Sequence, residues 1–310
     1  MRVLVYGIGG VGGFFGGRIA KAGYETVFFA RGKHLEAIKQ NGLTVKSHKG
    51  NFHATPALAT DNLEKVGKVD LILLGVKSWQ VEEVAKTLRP VLHKNTVVIP
   101  LQNGADNADK LLKILNKKHV VGGLCRIISF IESPGVISHP AFEPQIIFGE
   151  LDNTKTPRLN NIKEVFDAAG FDNKIADNIQ LDSWKKFMFI ATISGIGALT
   201  RMPIDVLRSN PYLKQVMIDT AQEIKTIANA KNIDITQQDI DSMFMAIDKQ
   251  APGTTASMQR DIMDGKPSEL ENFNGYIVKQ GQQLHIETPV NSFIYNCLVP
   301  MEKKARKHEK

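Results

Sequence analysis

The hydrophobic pattern changes character partway along the chain. Up to about Ile175, short apolar runs rich in β-branched residues alternate with stretches where apolar positions recur every three or four residues, which is how the strands and covering helices of a parallel sheet read. Arg2 to Tyr6, Thr26 to Ala30, Asp70 to Val76 and Thr96 to Leu101 are near-continuous apolar runs, as strands buried on both faces should be. Between them, Val11 to Lys21, Trp79 to Leu88 and Asn107 to Leu115 have helical periodicity. Around Leu43 to Ala54, and again from Gly122 to Phe148, the runs shorten and carry Gly, Pro and Ser punctuation, which predicts added antiparallel strands.

Beyond Ile175 the strand pattern all but disappears. Asn178 to Leu199, Pro211 to Lys231, Thr236 to Ala246 and Ser268 to Gln283 read as helices, and Thr288-Pro289 opens a last one over Val290 to Lys304 with proline in its first turn. The predicted fold class is α/β: an N-terminal Rossmann-type doubly wound sheet over residues 1–177, followed by an all-α domain over residues 178–310. The longest apolar run, Phe187 to Leu199, is interrupted by Thr192, Ser194, Gly195 and Gly197 and falls short of the ~20 residues that span a bilayer. It predicts a buried helix through the middle of the second domain.

Composition narrows the function classes. With 310 residues, 43% hydrophobic and 23% charged, the chain is neither disordered, fibrous nor disulfide-built. Cys125 and Cys297 lie far apart and the eight histidines are scattered, so no metal site is expected. The N-terminus opens on a strand-like run without the parts of a signal peptide, which predicts a cytoplasmic protein with reduced thiols. Of the net charge of +7, the tail Glu302 to Lys310 carries +3, leaving +4 for the rest. That tail reads as a solvated, fraying helix end, and a modestly basic body suits an anionic small molecule as partner rather than nucleic acid or membrane. The apolar helices of the second domain fit a homodimer and a monomer equally well.

Gly7-Ile8-Gly9-Gly10-Val11-Gly12 matches G-x-G-x-x-G directly after a strand and at the start of a helix, the context in which that spacing binds a dinucleotide. The first glycine permits the tight turn, the second lets the backbone approach a pyrophosphate, and the third lets helix and strand pack closely. At the end of the second strand, where an NAD enzyme places an acidic residue for the ribose 2′-hydroxyl, this chain has Arg31, with Lys33 nearby. A guanidinium matches a 2′-phosphate, so the expected cofactor is NADP(H). Lys77 and Asn103 end the Asp70 and Thr96 strands and should face the same crevice.

In the second domain, the helix around Trp184-Lys185-Lys186-Phe187 places a lysine where burial and the positive end of the helix dipole both disfavour its charged form, making it a usable proton donor. Either lysine could equally reach out to water. Further on come Ser257-Met258-Gln259-Arg260-Asp261, Pro267-Ser268-Glu269 and Asn274-Gly275. Glu269 is expected in the first turn of a helix, where capping alone would explain it.

Taken in order, the glycine turn, Arg31, Val76-Lys77, Gln102-Asn103-Gly104, Trp184-x-Lys186, Ser257-Met258-x-x-Asp261, Ser268-Glu269, Asn274-Gly275 and Thr288-Pro289-Val290-Asn291 resemble the ketopantoate reductase family over nearly the whole chain. The resemblance implies NADPH-dependent reduction of 2-dehydropantoate to pantoate, a step toward pantothenate and coenzyme A. It also implies a Rossmann domain joined to a helical domain of the type that ends 6-phosphogluconate dehydrogenase. It implies Lys186 as general acid, Asn103 at nicotinamide and substrate, Ser257 at the substrate, Arg31 and Lys77 at the adenosine phosphate end, and Glu269 near the cofactor ribose. Where the family has substrate-holding asparagines, four and eight residues after the lysine and once later, this chain has Ile190, Ser194 and Ile204. The less polar stripe of Ile190 and Ser194 leaves two alternatives open: a reductase of a more apolar 2-keto acid, or an NADP(H)-binding sensor without turnover.

Overall fold

The structure, a computed structural model, describes residues 1–308; the last two residues of the basic tail lie outside the described residues. The chain divides into two compact units, Met1–Ile179 and Gln180 onward.

The first unit contains, in chain order, β1 (Arg2–Tyr6), α1 (Gly10–Lys21), β2 (Glu25–Phe29), α2 (Gly32–Asn41), β3 (Leu43–Ser47), β4 (Phe52–Ala54), β5 (Leu58–Thr60), β6 (Leu71–Leu74), α3 (Val81–Thr87), β7 (Val97–Pro100), α4 (Asn107–Leu112), β8 (Gly122–Ser133), β9 (Val136–Gly149), α5 (Pro157–Ala169) and β10 (Asp172–Ile175). The main sheet runs β5-β2-β1-β6-β7, every pair parallel. Its apolar runs are buried on both faces because alternate residues feed opposite cores. Val3, Val5, Phe28, Leu71 and Leu73 pack with α1 and α5 on one side, and Leu4, Tyr6, Val27, Ile72 and Leu74 with α3 and α4 on the other. Strand order reverses between β1 and β6, the switch point at which open α/β sheets bind ligands beyond their carboxyl ends. This is the doubly wound, Rossmann-type sheet that the pattern predicted.

Both stretches read as antiparallel are hairpins, β3/β4 and β8/β9. Unforeseen is that β3 and β10 also join β9 in parallel, making a second sheet. Helices α2 and α5 and strand β5 were not predicted either. α2 buries only Leu35 and Ile38, too few for a visible period. α5 did carry a signal, Pro157 at its start and a left-handed Gly170 at its end.

The second unit is all-helical: α6 (Ile179–Thr200), α7 (Ile204–Ser209), α8 (Pro211–Ala230), α9 (Gln237–Asp248), α10 (Ser257–Met263), α11 (Asn274–Leu284) and α12 (Pro289–His308). From Phe187 to Ala198, α6 is buried at most positions, so it is the central helix of this unit. Small residues let it approach its neighbours: a Cβ on Gly195 would lie 2.7 Å from Asn274 Oδ1, and one on Gly197 would lie 2.6 Å from Gln259 Oε1. The start of α12 is capped from α8, where the Glu223 carboxylate accepts the N–H groups of Val290 (2.7 Å) and Asn291 (2.9 Å).

Two expectations in this unit are corrected. Ser268 to Gln283 is not one helix: a 3₁₀ turn covers Leu270–Asn272, and α11 begins only at Asn274. The cause is Glu302 on α12, which accepts the Ser268 N–H (3.0 Å) and hydroxyl (2.5 Å) and so binds the segment to another helix before its own can start. The basic tail is likewise no simple solvated end. Glu302 is only 2% exposed and Ala305 is buried, and Arg306 bonds Glu302 (2.6 Å) and the Ser268 carbonyl (3.1 Å), so one face of the tail is packed as far as it is described.

Candidate active site

The glycine turn joins β1 to α1. Gly7 has φ +96°, a conformation open to glycine, and its N–H donates to the Phe29 carbonyl (3.0 Å), tying the turn to β2. Gly12 meets the turn itself, since a Cβ there would stand 2.0 Å from the Gly7 carbonyl oxygen. Gly9 differs: a Cβ would find only the Gly75 oxygen, at 3.9 Å. It is the N-cap of α1 with no side chain capping the first turn, so the turn offers backbone donors beside open space. A dinucleotide pyrophosphate fits that cradle. Ile8 and Val11, also expected here, turn their side chains into or against the core, leaving only backbone to contribute.

Three glycines gain reasons that spacing could not supply. Gly10 lies under β8, where its Cβ would come within 2.2 Å of the Ser129 carbonyl oxygen. Gly75, just past β6 and absent from the sequence reading, would collide with the Gly7 oxygen at 2.6 Å; its only sequence signal is its place after the Leu71–Leu74 run. Gly104 has φ +130° in the turn after β7.

The remaining expected residues of this unit stand at the carboxyl ends of neighbouring strands. Arg31 is the exposed N-cap of α2, two residues past β2, with exposed Lys33 beside it. Lys77 follows β6, its ammonium 5.7 Å from the centre of the Trp79 ring and its N–H on Gln80 Oε1 (3.1 Å). Asn103 follows β7, and its carbonyl accepts from the Ser78 hydroxyl and from Asn107 Nδ2. Asn107 reaches the Gln102 carbonyl as well (3.1 Å), and Gln102 Nε2 donates to the Leu74 carbonyl (2.9 Å). Ser78 and Asn107 therefore hold the Asn103 backbone, a supporting pair that the sequence reading missed because neither belongs to a recognisable spacing.

In the second unit, the two lysines of α6 part company. Lys185 pairs with Asp239 (2.7 Å), the residue that closes a capping box with Thr236 at the start of α9. Burial works to raise the Asp239 carboxyl, but the bonds from Lys185 and Thr236 outweigh it and hold it below the ordinary carboxylate value. Lys185 is thus engaged in structure. Lys186 is half-buried one position on, about 100° around the helix. Ile190 and Ser194 continue one turn and two turns further; both are buried, and the Ser194 hydroxyl has no hydrogen-bond partner among the described residues. Ser257 opens α10, directly before buried Met258 and Gln259. Glu269 is buried and precedes the 3₁₀ turn, so the expectation that it sits in a helix first turn is corrected for the reason given above.

A Rossmann-type sheet, a glycine turn at its switch point and polar strand ends around it define a dinucleotide-binding protein of the doubly wound class. Comparison with known proteins makes the class specific. The family model for ketopantoate reductase PanE/ApbA matches residues 3–153, and the one for its C-terminal domain matches residues 178–302. The chain belongs to the ketopantoate reductase family. It is 28% identical over 295 residues to the uncharacterized oxidoreductase YkpB of Bacillus subtilis, covering 95% of this chain and 97% of that one. It is 30% identical over 301 residues to the 2-dehydropantoate 2-reductase of Archaeoglobus fulgidus, with 97% and 98% covered. Among solved structures, the PanE/ApbA family ketopantoate reductase from Ralstonia eutropha superposes with a TM-score of 0.90 at 27% identity, covering 99% of this chain and all of that one.

Proposed function

We propose that this protein reduces a 2-keto acid to the 2-hydroxy acid with NADPH, and that 2-dehydropantoate is its first candidate substrate. The observation that carries the phosphate form of the cofactor is Arg31 at the end of β2, where an acidic residue would repel a 2′-phosphate. The substrate assignment is supported by the relatives that bear the name 2-dehydropantoate 2-reductase. The bound nicotinamide would supply the hydride. Lys186 then gives its proton to the oxygen of the ketone as negative charge develops there, and the ammonium stabilises that charge before transfer. Asn103, its backbone locked by Ser78 and Asn107, orients the ketone, while Ser257 holds the carboxylate or hydroxyl end of the acid. Lys77 and Arg31 would hold the adenosine phosphate end of the cofactor, and Glu269 would serve its ribose.

One observation favours a second reading of the substrate. Ile190, Ser194 and Ile204 stand where the resemblance implies asparagines, and all three are buried. Three missing amide partners at about 1 kcal/mol each would weaken a polyhydroxylated acid on the order of 100-fold. An acid with an apolar tail would not bear that loss. The test is a panel of 2-keto acids, from 2-dehydropantoate to branched and aryl members, followed by NADPH and NADH absorbance side by side. Lys186→Ala should lower turnover ~10²- to 10⁴-fold with cofactor affinity nearly unchanged. Unchanged turnover removes Lys186 from the mechanism, and cofactor binding without consumption of any acid would favour a sensor.

A further inference from the structure

Gln259 falls at one of the two positions that the Ser257-Met258-x-x-Asp261 pattern leaves unspecified. It lies on α10, is only 2% exposed, and both ends of its amide bond backbone. Oε1 accepts the N–H of Ala256, the residue before Ser257, at 3.2 Å. Nε2 donates to the Met202 carbonyl, in the link between α6 and α7, at 2.9 Å. Between these bonds the amide lies against Gly197 of α6: the three atoms nearest a Cβ there would be Gln259 Oε1 (2.6 Å), Cδ (2.8 Å) and Nε2 (3.3 Å). Gly197 comes three residues after Ser194 and continues the face of α6 on which Lys186, Ile190 and Ser194 recur at four-residue spacing. The segment that enters α10 is fastened to the same link twice more. The Thr254 carbonyl accepts the Ile204 N–H (3.0 Å), and the Asp205 carboxylate accepts the Gly253 N–H (2.8 Å).

The geometry points to Gln259 as a positioning residue for the substrate: its amide holds the backbone that carries Ser257 against the lysine-bearing face of α6. Ser257 stands between Ala256, whose N–H the amide accepts, and Gln259 itself, so the start of α10 is fixed on both sides of the hydroxyl. Without the amide, the Ala256 N–H and the Met202 carbonyl lose their partners and regain them only from water or by a shift of the helix start. The rest of α10 stays docked, because Met258 and Ile262 are buried and the bonds at Thr254 and Gly253 remain. Loss of the amide therefore displaces Ser257 while the domain keeps its fold. Gln259 touches no substrate itself, since its side chain is enclosed between α10 and Gly197.

This role rests on the proposed function, in which Ser257 holds the acid. It is tested by steady-state kinetics with NADPH and the 2-keto acid panel on the full-length wild type, Gln259→Leu and Gly197→Ala, each variant also combined with Ser257→Ala, with urea unfolding in parallel. Leucine keeps most of the volume and none of the bonds. Alanine at 197 leaves Gln259 in the chain but takes the space of its amide, and it favours the helix more than glycine does, so its effect does not depend on lost stability. Both variants should raise KM for the acid about tenfold, with kcat within about threefold of wild type and NADPH binding unchanged. In the Ser257→Ala background either substitution should add less than about twofold, because the hydroxyl it would displace is gone. Should Gln259→Leu fail to fold, Gly197→Ala carries the same test. An unchanged KM, losses that multiply fully with that of Ser257→Ala, or losses that merely follow unfolding would each overturn the role of Gln259. A wild type that reduces no acid of the panel would instead overturn the proposed function, and this role with it, so the two failures are distinguishable.

Discussion

Two alanine substitutions in one turn should behave in opposite ways. Gly9 has φ −83° and ψ −161°, which alanine adopts freely, and its added methyl carbon would meet only the Gly75 oxygen at 3.9 Å, an ordinary contact. Gly9→Ala should therefore change stability by less than about 1 kcal/mol, most of that from the poorer N-cap. The same methyl would stand where the backbone must approach a pyrophosphate. Losing one charge-assisted hydrogen bond, worth roughly 1.5–3 kcal/mol, weakens binding about 10- to 100-fold. In Gly12→Ala the methyl would be placed 2.0 Å from the Gly7 oxygen and 3.2 Å from Val5 Cγ1, so α1 must move off β1 by more than an ångström. Neither neighbour is a flexible chain end, and overpacking of this kind costs about 1–3 kcal/mol or more. Calorimetric titration with NADP⁺ and urea unfolding on both variants separate the two effects. A Gly9→Ala protein that binds the dinucleotide like wild type would show that this turn is not the pyrophosphate site.

Arg31→Glu should lower NADP⁺ affinity at least about tenfold while NAD⁺ affinity holds or improves, because the carboxylate would repel a 2′-phosphate and accept a 2′-hydroxyl; an equal loss for both cofactors would refute the assigned role. Glu223→Gln removes a negative charge from the N-terminus of α12 while keeping its size, and should destabilise the fold by about 1 kcal/mol; a thermal midpoint equal to wild type would mean the cap contributes nothing. Stability should also fall on mild acidification. Burial depresses both His139 and His34 below 6.5, with the Phe142 and Ile8 carbonyls opposing, so the unfolded chain takes up protons first. Their contribution is complete above about pH 6.5 and is lost as pH falls from there through the depressed folded values. His139 donates from Nε2 to the Phe142 carbonyl at 2.8 Å, and its Nδ1 shares a 2.8 Å hydrogen bond with the Ser47 hydroxyl, which donates when the ring is neutral. Urea midpoints should drop between pH 7.5 and 5.5, and His139→Gln should flatten that slope; a midpoint that rises on acidification contradicts the sign.

The sequence by itself determined the parallel sheet, the helical second unit, the glycine turn and the placement of Arg31, Lys77 and Asn103 at strand ends. Each is written in neighbouring residues: an apolar run buried on both faces, a helical period, or glycines at fixed offsets. Weakly amphipathic α2 and the short strand β5 escaped because few of their residues face a core. Tertiary structure alone decided matters that depend on partners far apart in the chain. Glu302, 34 residues from Ser268, broke a helix that local pattern extended through Glu269. Asp239 took up Lys185 and so distinguished it from Lys186, a choice that two adjacent identical side chains cannot reveal. Gly75 against Gly7, Ser129 over Gly10 and Gly135 on His34 likewise have no local signature. A hydrogen bond or close contact has a range of a few ångströms in space and leaves no period along the sequence, so only the folded chain shows it.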